Sequence, residues 1–172
     1  MFTLRLVERV PMTDLFAHVC LAYVVGGLIS LRVDWLDARY VTVVLVGAVI
    51  PELVKIELLV EARVISNLLI VPFSWEPLQT LGGVVVSLCV GGLVVCRCEQ
   101  RRVLPLLALG AATHIFLDYL LLSVSGRSFA VFWPFTRYHP PTPGLYLSTD
   151  ILPTIVASLL AMMIWILTSH VD

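Results

Sequence analysis

The chain has 172 residues, 59% hydrophobic and only 13% charged, with a formal net charge of −1 and a mean hydropathy of +0.99. Soluble domains carry about 25% charged residues, so this composition indicates an integral membrane protein. It lacks the basic footprint of a nucleic-acid-binding protein, and the length suits one compact domain.

Residues 1–11 read as an N-terminal extension and residues 12–172 as a single membrane domain. Arg5 and Arg9 precede an apolar run, but no small-residue cleavage site follows. Met12 opens a natural unit of its own, Met12-Thr13-Asp14, so either methionine can be the start. Thr13 suits a helix cap, with Asp14 in the first turn. The first span is the apolar run from Leu15 to Leu31, interrupted by His18, which lies four residues after Asp14 and can pair with it. The second runs from Tyr40 to Ile50 and stops at Pro51-Glu52. It is short, so crossing requires local thinning of the bilayer or an extension at its start, and the proline cannot continue a helix interior.

Residues 53–76 place Leu53, Ile56, Leu59 and Val60 at helical spacing, with Lys55, Glu57 and Glu61 between them. That pattern predicts an amphipathic helix lying on the interface, with Phe73 and Trp75 as anchors. The third span begins near Leu78-Gln79-Thr80 and ends near Cys96, and Gly82, Gly83, Gly91 and Gly92 permit close helix approach. Cys20 and Cys89 read as small hydrophobes, and Cys96-Arg97-Cys98 is spaced too tightly for a zinc knuckle. No disulfide framework is expected. The fourth span is Val103–Val124 and the fifth Ile151–Thr168; the segment between them, rich in Pro, Gly and aromatics, reads as an ordered loop at the membrane surface. The expected fold is all-α: a polytopic bundle of about five spans with a short second span and an interfacial helix.

His114 and Asp118 are four apart, on one face of the fourth span. Ionisable groups in a bilayer are costly unless paired, and they mark functional sites by default. Threading five spans back and forth brings His18, Glu52, Gln79, His114 and Asp118 to a similar depth on one side; His18 lies roughly 7 Å inside its span. The long segments 53–77 and 125–149 fall on that same side and can cover the cluster. Arg32, Arg39, Arg97, Arg101 and Arg102 occupy the two short loops opposite. The orientation rule therefore places the cluster near the extracytoplasmic face of the cell membrane.

These elements resemble a known family. His18, Gly47-Ala48-Val49-Ile50-Pro51-Glu52, Pro77-Leu78-Gln79-Thr80, Thr113-His114-Ile115-Phe116-Leu117-Asp118 and Trp133-Pro134-Phe135 are similar to the YdjM-like predicted membrane-bound metal-dependent hydrolases, particularly versions from halophilic archaea. The resemblance runs from Met12 to the region of Leu167. It implies a divalent metal held by His18, Glu52, His114 and Asp118, with Glu52, His114 and Asp118 as catalytic groups. Two positions depart from the family pattern: Glu52 stands for an Asp, and Gln79 for a His. Glutamate still ligates metal, whereas glutamine is neither an imidazole nor a proton shuttle.

Two imidazole nitrogens with carboxylate oxygens suit Zn²⁺ first, with Mn²⁺ or Fe²⁺ as alternatives. An open coordination position can hold an acidified water; Glu52, instead of ligating, can serve as the general base. A site under an aromatic loop at the interface points to membrane lipids or another amphiphile, and to hydrolysis of an ester or phosphoester. The competing expectation is a non-enzymatic scaffold of the same fold, with Gln79 marking lost activity. A small transporter is a third reading. It lacks support from internal repeats or paired broken helices.

Overall fold

The computed structural model describes residues 13–122, 126–147 and 149–169, and among these the chain is helical apart from loops and isolated β-bridges. Six α-helices follow in order: α1 (Thr13–Ser30), α2 (Ala38–Val49), α3 (Ala62–Leu69), α4 (Leu81–Val94), α5 (Gln100–Tyr119) and α6 (Leu152–Ser169). Two 3-10 helices, Pro51–Leu58 and Glu76–Gln79, lie between α2 and α3 and before α4. The expected Thr13 cap and Asp14–His18 pair involve side chains outside the described residues.

α2 is the keystone of the packing. Asp37 caps its start, its carboxylate accepting the backbone N–H groups of Arg39 and Tyr40. The Arg39 guanidinium beside it holds the Asp37 carboxyl below its ordinary range. The helix then buries Val41, Val44, Gly47 and Ala48 against α1 and α5. Val44, Ala48, Ala22 of α1 and Leu106 of α5 form one core cluster with Leu36 and Val41. At the opposite end from the histidines, Tyr40 Oη donates to Glu99 (2.6 Å), and Arg102 donates to Tyr40 Oη (3.1 Å) while lying over the Trp35 ring. This ties the α1–α2 loop to the start of α5, three residues earlier than the hydropathy run suggests.

The closest crossing is between α2 and α5. A Cβ on Gly110 would overlap the Val44 carbonyl oxygen, and one on Gly47 would overlap that of Leu107. Both clashes are with backbone, so only glycine allows the two helices this contact. The expected packing glycines Gly91 and Gly92 meet only side chains, at ordinary van der Waals distance.

Three boundaries differ from the sequence expectation. The amphipathic stretch after Pro51 is not one helix but a 3-10 helix and the short α3, whose residues are all at least partly exposed. The predicted fourth span stops being helical at Tyr119. Leu122 N–H donates to the Tyr146 carbonyl, Leu145 N–H to that of Leu120, and Tyr146 Oη to that of Leu117. The 145–146 stretch thus captures the end of α5 and turns the chain aside. Asp150, which the sequence suggests as the cap of α6, accepts the N–H of Leu147 upstream and closes a turn before the helix.

One helix among the described residues, α6, is long and apolar enough to cross a membrane. Only 11% of its 18-residue window is buried, so it is not a covered core helix. α1 and α5, at 18 and 20 residues, extend roughly 27–30 Å. α2 and α4, at 12 and 14, reach only roughly 18–21 Å.

Candidate metal centre

The site begins with Pro51. It terminates α2, and having no N–H it offers the Ala48 carbonyl no i+3 donor. His114 of α5 meets that end: its Nδ1 lies 2.6 Å from the Ala48 carbonyl oxygen. A carbonyl oxygen can only accept, so Nδ1 carries the hydrogen and donates it. The ring is thereby fixed with Nε2 facing away from α2, the arrangement found when a histidine binds metal through one nitrogen and is oriented through the other. The Gly47–Gly110 contact one turn back brings the two helices close enough for this bond.

His18 arrives from α1 and stacks on His114, ring centroids 3.7 Å apart and planes within 12°. Its side chain is fully buried and that of His114 nearly so. Asp118, one turn after His114, spans both rings: Oδ1 is 3.2 Å from His18 Nε2 and Oδ2 is 3.3 Å from His114 Nε2. Glu52 enters from the 3-10 helix after Pro51, its Oε1 4.0 Å from His114 Nε2. Its Oε2 is 2.5 Å from Lys55 Nζ, an i,i+3 pair.

His18, Glu52 and His114 form a buried group whose ligand atoms all lie within 4.8 Å of one another, and this group could hold a metal ion. The donor chemistry fits: two imidazole nitrogens, one of them oriented by a backbone carbonyl, and a carboxylate. Two ligands bound at about 2.0–2.2 Å around a tetrahedral ion lie roughly 3.3–3.6 Å apart. The two Asp118–histidine separations, 3.2 and 3.3 Å, are close to that spacing. The arrangement therefore brings together all four residues that the resemblance named, with Asp118 touching both nitrogens that the triad would present.

Beside the cluster lies a cavity of about 330 Å³, with Glu52, His114 and Asp118 in its wall. Gln79 also lines it, and a second cavity of about 360 Å³ shares Gln79 and Phe129 as a partition. Gln79 is thus a wall residue, and no hydrogen bond from it to the histidines is present among the described residues. The loop after α5 contributes Arg127, Ser128, Phe129 and Thr142 to the first cavity. That loop is pinned to the start of α4, where Leu81 and Gly82 donate to the carbonyls of Val131 and Trp133. In the same loop His139 donates from Nδ1 to the Ser128 carbonyl at 2.9 Å.

Sequence reasoning missed Lys55, Arg127 and Thr142 as site residues. Lys55 read as the polar face of an interfacial helix, although its i+3 spacing from Glu52 was a usable signal. Arg127 lies in the long segment after α5, with no local spacing that ties it to the histidines. Thr142 carried no local signal, because a loop brings it back across 24 residues from Asp118. No protein-family model, curated protein or solved structure matches the chain.

Proposed function

We propose that the chain is a membrane-embedded, metal-dependent hydrolase of the YdjM-like kind, acting on a lipid or other amphiphilic ester or phosphoester. The observation that carries this reading is the stacked His18–His114 pair spanned by Asp118, with Glu52 beside it. A purely structural pair between helices needs neither a second imidazole nor a second carboxylate. Gln79 lies in the cavity wall and all four other groups are assembled without it, which weighs against the scaffold reading.

In this reading His18, His114 and Glu52 hold a divalent cation, with Zn²⁺ favoured over Mn²⁺ or Fe²⁺ by the nitrogen-rich donor set. The ion would supply Lewis-acid polarisation of the scissile group. Asp118 keeps both imidazole nitrogens aimed at one point. The Ala48 carbonyl fixes the tautomer of His114. Glu52 offers Oε1 to the ion, with Lys55 restraining Oε2. The loop carrying Phe129 and Ser128 shields the cavity, which limits bulk water at the reacting bond.

The proposed setting is the cell membrane, with α1, α2, α4, α5 and α6 as spans and the cluster toward the extracytoplasmic face. Support comes from the exposed apolar surfaces of α4 and α6, including Val90, Leu93, Leu159 and Trp165. Such surfaces are unfavourable in water and ordinary in lipid. The short α2 and α4 are accommodated by local thinning.

Purified protein in mild detergent should hydrolyse an amphiphilic ester or phosphoester. The activity should vanish on chelation, return with Zn²⁺ or Mn²⁺, and be lost in His114→Ala and Asp118→Ala. Hydrolysis that survives both substitutions would sink the assignment.

A further inference from the structure

The cavity beside the histidines has an electrostatic design that an uncharged ester would not use. Its wall carries two carboxylates, Glu52 and Asp118, and two cations, Lys55 and Arg127. Their formal charges cancel, so a divalent ion at the neighbouring triad would leave the cavity with a surplus of two positive charges. A carboxyl ester is neutral and gains little from that surplus. A phosphate monoester carries about −1.5 to −2 charges at neutral pH and offers strong acceptor oxygens. The guanidinium geometry of Arg127 suits such oxygens particularly well.

A second observation comes from Thr142. Thr142 Oγ1 is buried with no hydrogen-bond partner among the described residues, and Thr142 lines the same cavity. A buried hydroxyl left unmet is unfavourable, and a ligand oxygen in the cavity would satisfy it. Val54, Leu121, Leu122 and Phe129 give part of the wall an apolar flank, beside the uncharged polar Gln79 and Ser128. Charge, a waiting hydroxyl and an apolar flank describe a receptor for a phosphate group attached to a hydrophobic body.

We propose that this cavity recognises a phosphate monoester, held by Arg127, Lys55 and the Thr142 hydroxyl; the assignment rests on the hydrolase reading and narrows its substrate class. The reaction then breaks the bond between phosphorus and the ester oxygen. Water supplies the new oxygen on phosphorus, the alcohol leaves with a proton, and inorganic phosphate is released. No oxidant or co-reactant beyond water is required.

The test measures binding to the full-length protein in phosphatidylcholine nanodiscs, with and without Mn²⁺. The probes are short-chain phosphatidic acid, diacylglycerol with the same chains, and inorganic phosphate. Phosphatidic acid should bind at least about tenfold more tightly than diacylglycerol, and Arg127→Gln and Thr142→Val should each lose about tenfold in that affinity, with Arg127→Lys between Arg127→Gln and the parent. Equal binding of diacylglycerol overturns the proposal, as does unchanged affinity in both Arg127→Gln and Thr142→Val. The lipid comparison is made on the parent protein, so it stands even if a variant misfolds. Phosphatidic acid binding more tightly than inorganic phosphate assigns a lipid source, and equal affinity assigns a soluble phosphate ester. Hydrolysis followed in parallel separates the two readings. A carboxyl ester cleaved while phosphatidic acid is neither bound nor cleaved overturns phosphate recognition and leaves the hydrolase. Arg127-dependent binding without metal or hydrolysis overturns the hydrolase and leaves phosphate recognition.

Discussion

Gly110→Val is expected to destabilise the protein by about 3 kcal/mol and to disable the metal centre at the same time. A side chain there meets the Val44 carbonyl and the backbone around Gly47 and Ala48. Backbone cannot swing aside as a side-chain tip can, so α2 and α5 must separate. Separation lengthens the bond from His114 Nδ1 to the Ala48 carbonyl, one turn further along α5. Unfolding in detergent, followed by intrinsic fluorescence, should show a lowered midpoint for this variant. Gly92→Ala, which meets only Leu104 side-chain atoms at 3.6 and 3.9 Å, should leave the midpoint nearly unchanged. Equal behaviour of the two variants would mean that the α2–α5 contact does not organise the bundle.

His114→Ala is expected to have the largest effect on the site. It removes one imidazole, the stacking partner of His18 and the donor to Ala48. A buried carbonyl left without a donor costs about 1–3 kcal/mol, so a measurable drop in stability should accompany loss of metal. Asp118→Asn separates these effects. It is nearly isosteric and leaves the Ala48 bond intact, but it removes the charge that spans both Nε2 atoms. Zn²⁺ affinity should fall by about 10–100-fold, the range found when a group supporting metal ligands is lost, with little change in the unfolding midpoint. Competition against a chelator of known affinity reads the first quantity. An Asp118→Asn protein with parental Zn²⁺ affinity would remove Asp118 from the centre.

The legible part of the site was the part written in local spacing. His114 and Asp118 announce themselves at i,i+4 inside an apolar run, and Pro51-Glu52 marks a helix end with a carboxylate attached. His18 could be added because threading the spans fixes its depth. The backbone partner of His114 was not legible: it depends on which carbonyl is left open at the end of α2 and on two glycines 63 residues apart in sequence meeting at a crossing. The end of α5 was hidden for a related reason. Leu120, Leu121 and Leu122 continue the apolar run, and hydropathy cannot show that Tyr146 and its neighbours take their hydrogen bonds. The stretch after Pro51 is helical as its spacing predicts but not continuous, since a pattern of apolar spacing does not distinguish one helix from two short ones.

The most direct test is the metal content of the purified protein, measured by elemental mass spectrometry beside the His114→Ala/Asp118→Ala double variant. Near-stoichiometric Zn²⁺, Mn²⁺ or Fe²⁺ in the parent and its loss from the folded double variant is the predicted result. A parent protein that stays folded yet takes up none of these ions, even after incubation with Zn²⁺ and Mn²⁺, would contradict the metal centre and leave the His18–His114–Asp118 cluster as a polar clasp between helices.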